Sequence, residues 1–201
     1  MTEQKVPYEV NGRQFEGMIV YHDSVKTKRP VMFMQPDWKG ICPDTIAMAH
    51  TAAGKDYIVL MADMYGTGYG TKPKTREQLA AGMKAVHTDL AFTVACGGKA
   101  YDTMLAEANK LGLVDTARKF AVGYCAGGGF VLEQARAGQD FKGVPIFDTV
   151  ADAVKTHAEE TVALVSHGLA LAVVRTALAG LPWGDVWDAM PANAVVVEIE
   201  A

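Results

Sequence analysis

The chain has 201 residues, 50% of them apolar and 21% charged, enough for one core and ordinary for a soluble globular fold. A net charge of −4 with no basic stripe argues against nucleic acid as a partner. Three cysteines, Cys42, Cys96 and Cys125, stand too far apart for a disulfide framework or a zinc site, so neither a metal nor any other cofactor is implied.

The N-terminus, Met1 to Lys5, lacks an apolar signal region, which leaves a cytoplasmic protein as the expectation. Two alternating runs, Val6 to Val10 and Gln14 to Tyr21, flank Asn11-Gly12 and predict a β-hairpin. Val31 to Met34 reads as a buried strand, followed by the loop Gln35 to Ile41 and a helix from Pro43 that stops at Gly54. Tyr57 to Met61 is the next strand and leads into Ala62-Asp-Met-Tyr-Gly66. Thr67 to Lys74 has no periodicity and is expected to be a surface loop; its Lys72 and Lys74, with Arg76, either attract an anionic substrate or are simply solvated. Helical patterns follow over Arg76 to Ala95 and Ala100 to Leu111.

Phe120-Ala-Val122 has the length of a buried strand and meets Gly123-Tyr-Cys-Ala-Gly127, after which a helical pattern runs from Phe130 to Ala137-Gly138. In a Gly-x-Cys-x-Gly bend the nucleophile sits at the apex of a sharp strand-to-helix turn, so the residues two before and two after must lack a Cβ. The helix start then aims amides at the sulfur, lowers the thiol pKa and offers the Ala126 N–H to an oxyanion. Two plainer readings stand beside this one: a small buried cysteine in a glycine-rich turn, and a glycine cradle for phosphate.

Downstream the pattern predicts strands at Lys142 to Phe147, Thr161 to Ser166 and Ala194 to Ile199, and helices at Thr149 to His157 and Leu169 to Ala179. The most apolar stretch, Leu169 to Leu181, is broken by Arg175, ends at Pro182 and falls short of the ~20 residues that cross a bilayer. It is read as a helix against a sheet, and no membrane partner is expected. Alternating strands and helices imply a three-layer α/β/α fold with a mainly parallel sheet and a ligand site beyond the carboxyl ends of the strands. Asp37, Trp38, Asp63 to Tyr65, Cys125, Asp148 and His167 all follow strands and are candidates for that edge. The remaining histidines, His22, His50, His87 and His157, are expected to be solvated or satisfied.

From about Val6 to Val144 the chain resembles the dienelactone hydrolase family. The residues that carry this are Gln35-Pro-Asp-Trp-Lys-Gly-Ile41, Ala62-Asp-Met-Tyr-Gly66, Val122-Gly-Tyr-Cys-Ala-Gly-Gly128, and Leu132-Glu-Gln-Ala-Arg-Ala-Gly138 with Lys142-Gly-Val144. The resemblance implies an α/β-hydrolase fold without a cap domain, hydrolysis of a small-molecule ester or lactone, and Cys125 as nucleophile. It also implies that Asp37 interacts with the resting cysteine and that the Trp38 amide joins that of Ala126 on the oxyanion.

After Val144 the pattern departs from that family, and its triad aspartate and histidine are not found. The final part, about 157–201, is similar to the histidine phosphatase superfamily through Ala163-Leu-Val-Ser-His-Gly168, Ala179-Gly-Leu-Pro182 and Pro191 to Glu198, although the Arg-His-Gly motif that opens such enzymes is absent. The bridge Gly143 to Val154 is faintly like a βα unit of succinyl-CoA ligase α subunits. A mosaic is expected, one α/β domain with a hydrolase-like part (1–144) and a βαβαβ part of other resemblance (145–201), able to pair as a homodimer through an exposed edge.

Three functions follow. In the first, Cys125 works as a nucleophile with His167 as base and Asp148 as its orienting acid, on placement at one sheet edge alone; Asp148 is equally a helix N-cap. The second is a catalytically inactive recombined scaffold, and the third is phosphate-ester binding at His167.

Overall fold

A computed structural model describes residues 1–144 and the backbone of 146–147. β1 (Thr2–Val10) and β2 (Arg13–Tyr21) form the hairpin, turning at Asn11 and Gly12, both with positive φ (50° and 75°). An Asn-Gly pair suits such a turn because both positions tolerate the left-handed region. β3 (Arg29–Gln35), β4 (Ile58–Met61), β5 (Val114–Tyr124) and the short β6 (Ile146–Phe147) complete a sheet of order β1-β2-β4-β3-β5-β6. The hairpin is antiparallel to the rest, whereas β4, β3, β5 and β6 run parallel.

Helices cover both faces, so the expected three-layer arrangement is present. α1 (Pro43–Ala53) packs Ala49 and Ala53 on Met34, Val59, Met61 and Val122. α3 (Leu90–Asn109) and α4 (Ala126–Arg136) cover the other face over Ile19, Val31, Phe33, Ile58 and Leu60. Phe33, fully buried, meets Tyr101 edge-on with ring centroids 5.3 Å apart. Burial of one such ring contributes about 1.5–3 kcal/mol.

Two boundaries differ from the sequence pattern. The break expected between Ala95 and Ala100 lies at Thr88-Asp89 instead, between α2 (Arg76–His87) and α3. Asp89 caps α3 by accepting from the Phe92 amide (2.9 Å), while Gly97 and Gly98 lie inside the helix. A Cβ at Gly97 would fall 2.8 Å from Gln134 Oε1 and closer to the rest of that amide, so this glycine lets α4 approach rather than ending α3. β5 starts six residues before Phe120, since its pairing with β3 slips between Pro30 and Val31. Asp115 closes the extra residues into a local bend through the Ala117 amide (3.0 Å) and Arg118 Nε (2.6 Å). α4 also begins earlier than expected, at Ala126.

Parallel β3, β4 and β5 end at one edge: Met34 is level with both Met61 and Val122. The loops after these strands therefore meet there.

Candidate functional site

Cys125 is the N-cap of α4, with φ 52° and ψ −118°, a conformation that non-glycine residues seldom adopt. Such backbone costs about 1–3 kcal/mol and persists only where the surroundings enforce it. The enforcement is steric. A Cβ at Gly123 would sit 2.6 Å from the Gly128 Cα, and one at Gly127 would sit 2.6 Å from the Pro36 carbonyl oxygen and closer still to that of Gln35. Both glycines required by the bend thus have no room for a side chain, and Cys125 itself is half-buried, not sealed in the core.

The Asp37 loop lies beside this bend, as the crowding of Gly127 by Gln35 and Pro36 requires. Asp37 Oδ1 accepts from the Lys39 amide (2.8 Å), and the Gly40 amide donates to the Asp37 carbonyl (3.0 Å). Thr45, buried in the first turn of α1, ties the loop down by donating to the Gly40 carbonyl (2.8 Å) and accepting from the Cys42 amide (2.9 Å). Lys39 pairs mainly with Asp44 (3.0 Å), and this bond, with Asp37 nearby, holds its ammonium pKa above the ordinary value. Asp37 and Trp38 are half-buried at the same edge as Cys125. Trp38 lies in the loop after β3 and Ala126 opens α4, so both backbone amides belong to this edge.

The loop after β4 holds a second aspartate, and it is structural. Asp63 is buried and accepts from the Tyr65 and Gly66 amides (2.9 Å each) and from the Glu16 amide (3.2 Å). Burial raises its pKa despite these three donors. This clamp fixes Tyr65, whose ring stacks on Tyr69 (4.5 Å) and meets Phe130 edge-on (6.1 Å). Lys74 is committed to the same loop, its ammonium 4.1 Å from the Tyr69 ring centroid and bonded to the Tyr69 carbonyl. Substrate attraction by Lys74 accordingly gains no support.

Of the two positions expected for His87, solvated or satisfied, the structure shows the satisfied one, at the helix that follows the bend. Its ring stacks on Phe130 (4.5 Å), and a Cβ at Gly129 would come 2.7 Å from Cε1. Burial lowers its pKa, with the Ala126 backbone and Glu133 pulling the other way. A histidine ending a helix that carries few buried residues gave no local signal of this placement. Cys96 is fully buried and its thiol is pushed up to about 12, chiefly by burial, while Cys42 is buried at the start of α1. His50 pairs with Glu3 (2.7 Å) far from the bend. Asp148, His157 and His167 lie outside the described residues. Among the described residues no helix is long and apolar enough to cross a membrane, and no three metal-ligating side chains converge.

No curated protein matches the chain. Among solved structures, m3DLH is 25% identical with a TM-score of 0.68, over 83% of this chain and 69% of that one. The dienelactone hydrolase-like promiscuous phosphotriesterase P91 from metagenomic libraries is 21% identical with a TM-score of 0.67, over 83% and 69%. A dienelactone hydrolase from Anabaena variabilis is 16% identical with a TM-score of 0.58, over 90% and 81%. The histidine phosphatase superfamily (branch 1) matches residues 146–201, and the dienelactone hydrolase family matches residues 15–168, so the two overlap over 146–168 and the hydrolase pattern runs beyond Val144. With more than half of its length inside the second of these, and with that family's fold, the chain belongs to the dienelactone hydrolase family.

Proposed function

We propose that the protein hydrolyses small esters or lactones through a thioester on Cys125. The observation that carries this reading is the backbone at Cys125: a non-glycine residue at φ 52° and ψ −118°, wedged between two glycines that no other residue can replace. Such strain is expected where a side chain must be presented to a reactant.

In this mechanism the thiol loses its proton to a base, and the thiolate attacks the acyl carbon. The carbonyl electron pair moves onto oxygen, where the Trp38 and Ala126 amides receive it. Collapse of that intermediate breaks the bond to the leaving oxygen, which takes up a proton. Water then repeats the sequence on the thioester, releasing the acid and regenerating the thiol. Asp37 supplies negative charge beside the resting thiol. His167 serves as base, oriented by Asp148. Loss of a general base typically removes about 10²–10⁴ of rate.

An activated aryl ester, with iodoacetamide as a thiol probe, tests the proposal. Turnover that vanishes in Cys125→Ser, together with labelling of Cys125 in the parent, is the expected result. Labelling without turnover identifies a recombined scaffold that keeps the bend and has lost its base. The match of residues 146–201 to histidine phosphatases favours a further reading, phosphate-ester binding at His167. A phosphatase assay at background in both the parent and His167→Ala removes it.

A further inference from the structure

Four cationic side chains meet at the end of the sheet opposite to Cys125, where β3 and β4 begin. Lys28 and Arg29 stand at the entry to β3, and Lys55 follows Gly54, the residue that ends α1 and turns the chain toward β4. Arg118 belongs to the bend in β5 where the pairing with β3 slips between Pro30 and Val31, which brings it out of the ladder beside them. All four line one cleft of about 300 Å³. Cys125 follows the far ends of these strands, roughly 20 Å away for strands of this length.

Arg29 separates this cleft from a scatter of surface lysines. It is 3% exposed; Nη1 donates to the His22 carbonyl (3.2 Å) and Nη2 to that of Val25 (3.5 Å), while Nε is shielded and has no partner. Among the described residues no carboxylate pairs with Arg29, Lys28 or Lys55. A guanidinium keeps its charge at any working pH, and a buried charge without a counter-ion is unfavourable even where carbonyls bond it. Arg118 is paired with Asp115 (2.6 Å), and Asp56 is the carboxylate on the lining. Against these two acids the four cations keep a surplus of two positive charges, in a chain whose net charge is −4.

From this placement we infer that the cleft binds a phosphate dianion, free or as the head of a small monoester, independently of the chemistry at Cys125. A phosphate group carries close to two negative charges at neutral pH, which matches the surplus. Its oxygens accept from ammonium and guanidinium donors that approach from three separate segments. Lys28, Lys55 and Arg118 donate to it, and its charge supplies the counter-ion that Arg29 lacks. The volume lies at the small end of the range for ligand pockets, ~300–1,000 Å³, and so suits a small molecule. One influence opposes the anion: the carboxyl end of α1, where the helix dipole is negative. The carbonyls there are already engaged, with the Gly54 amide donating to His50 (3.0 Å) and the Asp56 and Tyr57 amides to Ala53 (3.1 and 3.0 Å). No bond is made or broken, and the consequence of binding is a folded state stabilised by its ligand.

The experiment is calorimetric titration of the full chain with inorganic phosphate and, separately, with glycerol phosphate, at constant ionic strength and with thermal melts in parallel. Saturable binding is expected, with a melting temperature that climbs with ligand concentration while potassium chloride at the same ionic strength leaves it in place. The tighter of the two ligands distinguishes the free ion from a monoester. Lys28→Gln and Lys55→Gln, both at exposed positions, should each weaken binding about tenfold, while their melting temperatures without ligand stay parental. Lys84→Gln, at an exposed lysine of α2, should bind as the parent does. So should His167→Ala, which separates this cleft from phosphate binding at His167, and Cys125→Ser, which separates it from the hydrolase reading. Absence of saturable binding with either ligand, or parental affinity in both Lys28→Gln and Lys55→Gln, overturns the inference. An equal loss in Lys84→Gln shows general attraction of an anion and overturns it as well.

Discussion

Two regions of α4 use glycine to let chains approach, and they do so against opposite kinds of neighbour. Where β5 turns into it, Gly123 and Gly127 face backbone: a Cβ on either would meet carbonyl or Cα atoms that cannot move without undoing the strand or the turn. Along its length, α4 meets α3 at Gly97, where the crowding atoms belong to the Gln134 side chain. That amide is anchored, donating to the Thr93 carbonyl (3.1 Å) and the Val94 carbonyl (3.3 Å), yet it can rotate away. The first contact therefore fixes the geometry of one residue, Cys125, and the second fixes only the spacing of two helices. Rigidity at the site comes from backbone meeting backbone, and the rest of the helix tolerates adjustment.

The largest effect that follows is at the bend. Gly127→Ala forces a methyl against the Gln35 and Pro36 carbonyls, and no rotamer relieves it. We expect a loss of about 3 kcal/mol or more, ~6–12 °C in melting temperature, with labelling of Cys125 altered even in the fraction that remains folded. A stable Gly127→Ala protein with parental Cys125 reactivity would erase the distinction between the two regions.

Gly97→Ala should be milder, about 1–3 kcal/mol, as Gln134 gives up its two bonds and turns aside. Its neighbour sharpens the point. A Cβ at Gly98 would have only Gln139 Oε1 for company, at 3.9 Å, so Gly98→Ala should stabilise the protein by about 0.5–1 kcal/mol through helix propensity. Thermal melts of the pair should shift in opposite directions.

The same contrast explains how much was legible beforehand. The hairpin at Asn11-Gly12 and the bend at Cys125 obey rules confined to a few consecutive residues, and the residue types at those positions announce them. The alternation of strands and helices then sufficed for a layered sheet whose carboxyl edge gathers Asp37, Asp63 to Tyr65 and Cys125. The sequence pattern breaks the helix around Gly97 and Gly98 because the side chain that Gly97 accommodates, Gln134, stands far along the chain and only tertiary contact reveals it. His87 and the ring of Tyr65 were opaque for the same reason: each is placed by Phe130, and Tyr65 also by Gly40. Asp37 was legible as a loop residue at the right edge, but its bond to the Lys39 amide depends on the turn that Gly40 closes.

The smallest expected effect concerns a third glycine of α4, Gly129, whose open side is occupied by the His87 ring. Burial lowers the His87 pKa in the folded protein, whereas the unfolded chain titrates near the ordinary value of about 6.5. The unfolded state therefore binds more protons between the two values, and stability rises with pH across that window. This contribution is fully present above the ordinary histidine pKa and is lost as pH falls through the folded one. Asp63, raised by burial, works in the reverse sense: its share is present below the ordinary carboxylate pKa and is lost as pH rises through the folded value. Removing the imidazole in His87→Gln should flatten the fall in melting temperature on acidification from pH ~7 through the histidine range, while the slope at lower pH stays as it was. His87 meets α4 at Gly129 and at the Ala126 backbone, not at the two glycines that force the bend, so Cys125 labelling at neutral pH should change little in this variant. A large change there would mean that the first turn of α4 depends on a flexible neighbour as strongly as on the backbone beneath it.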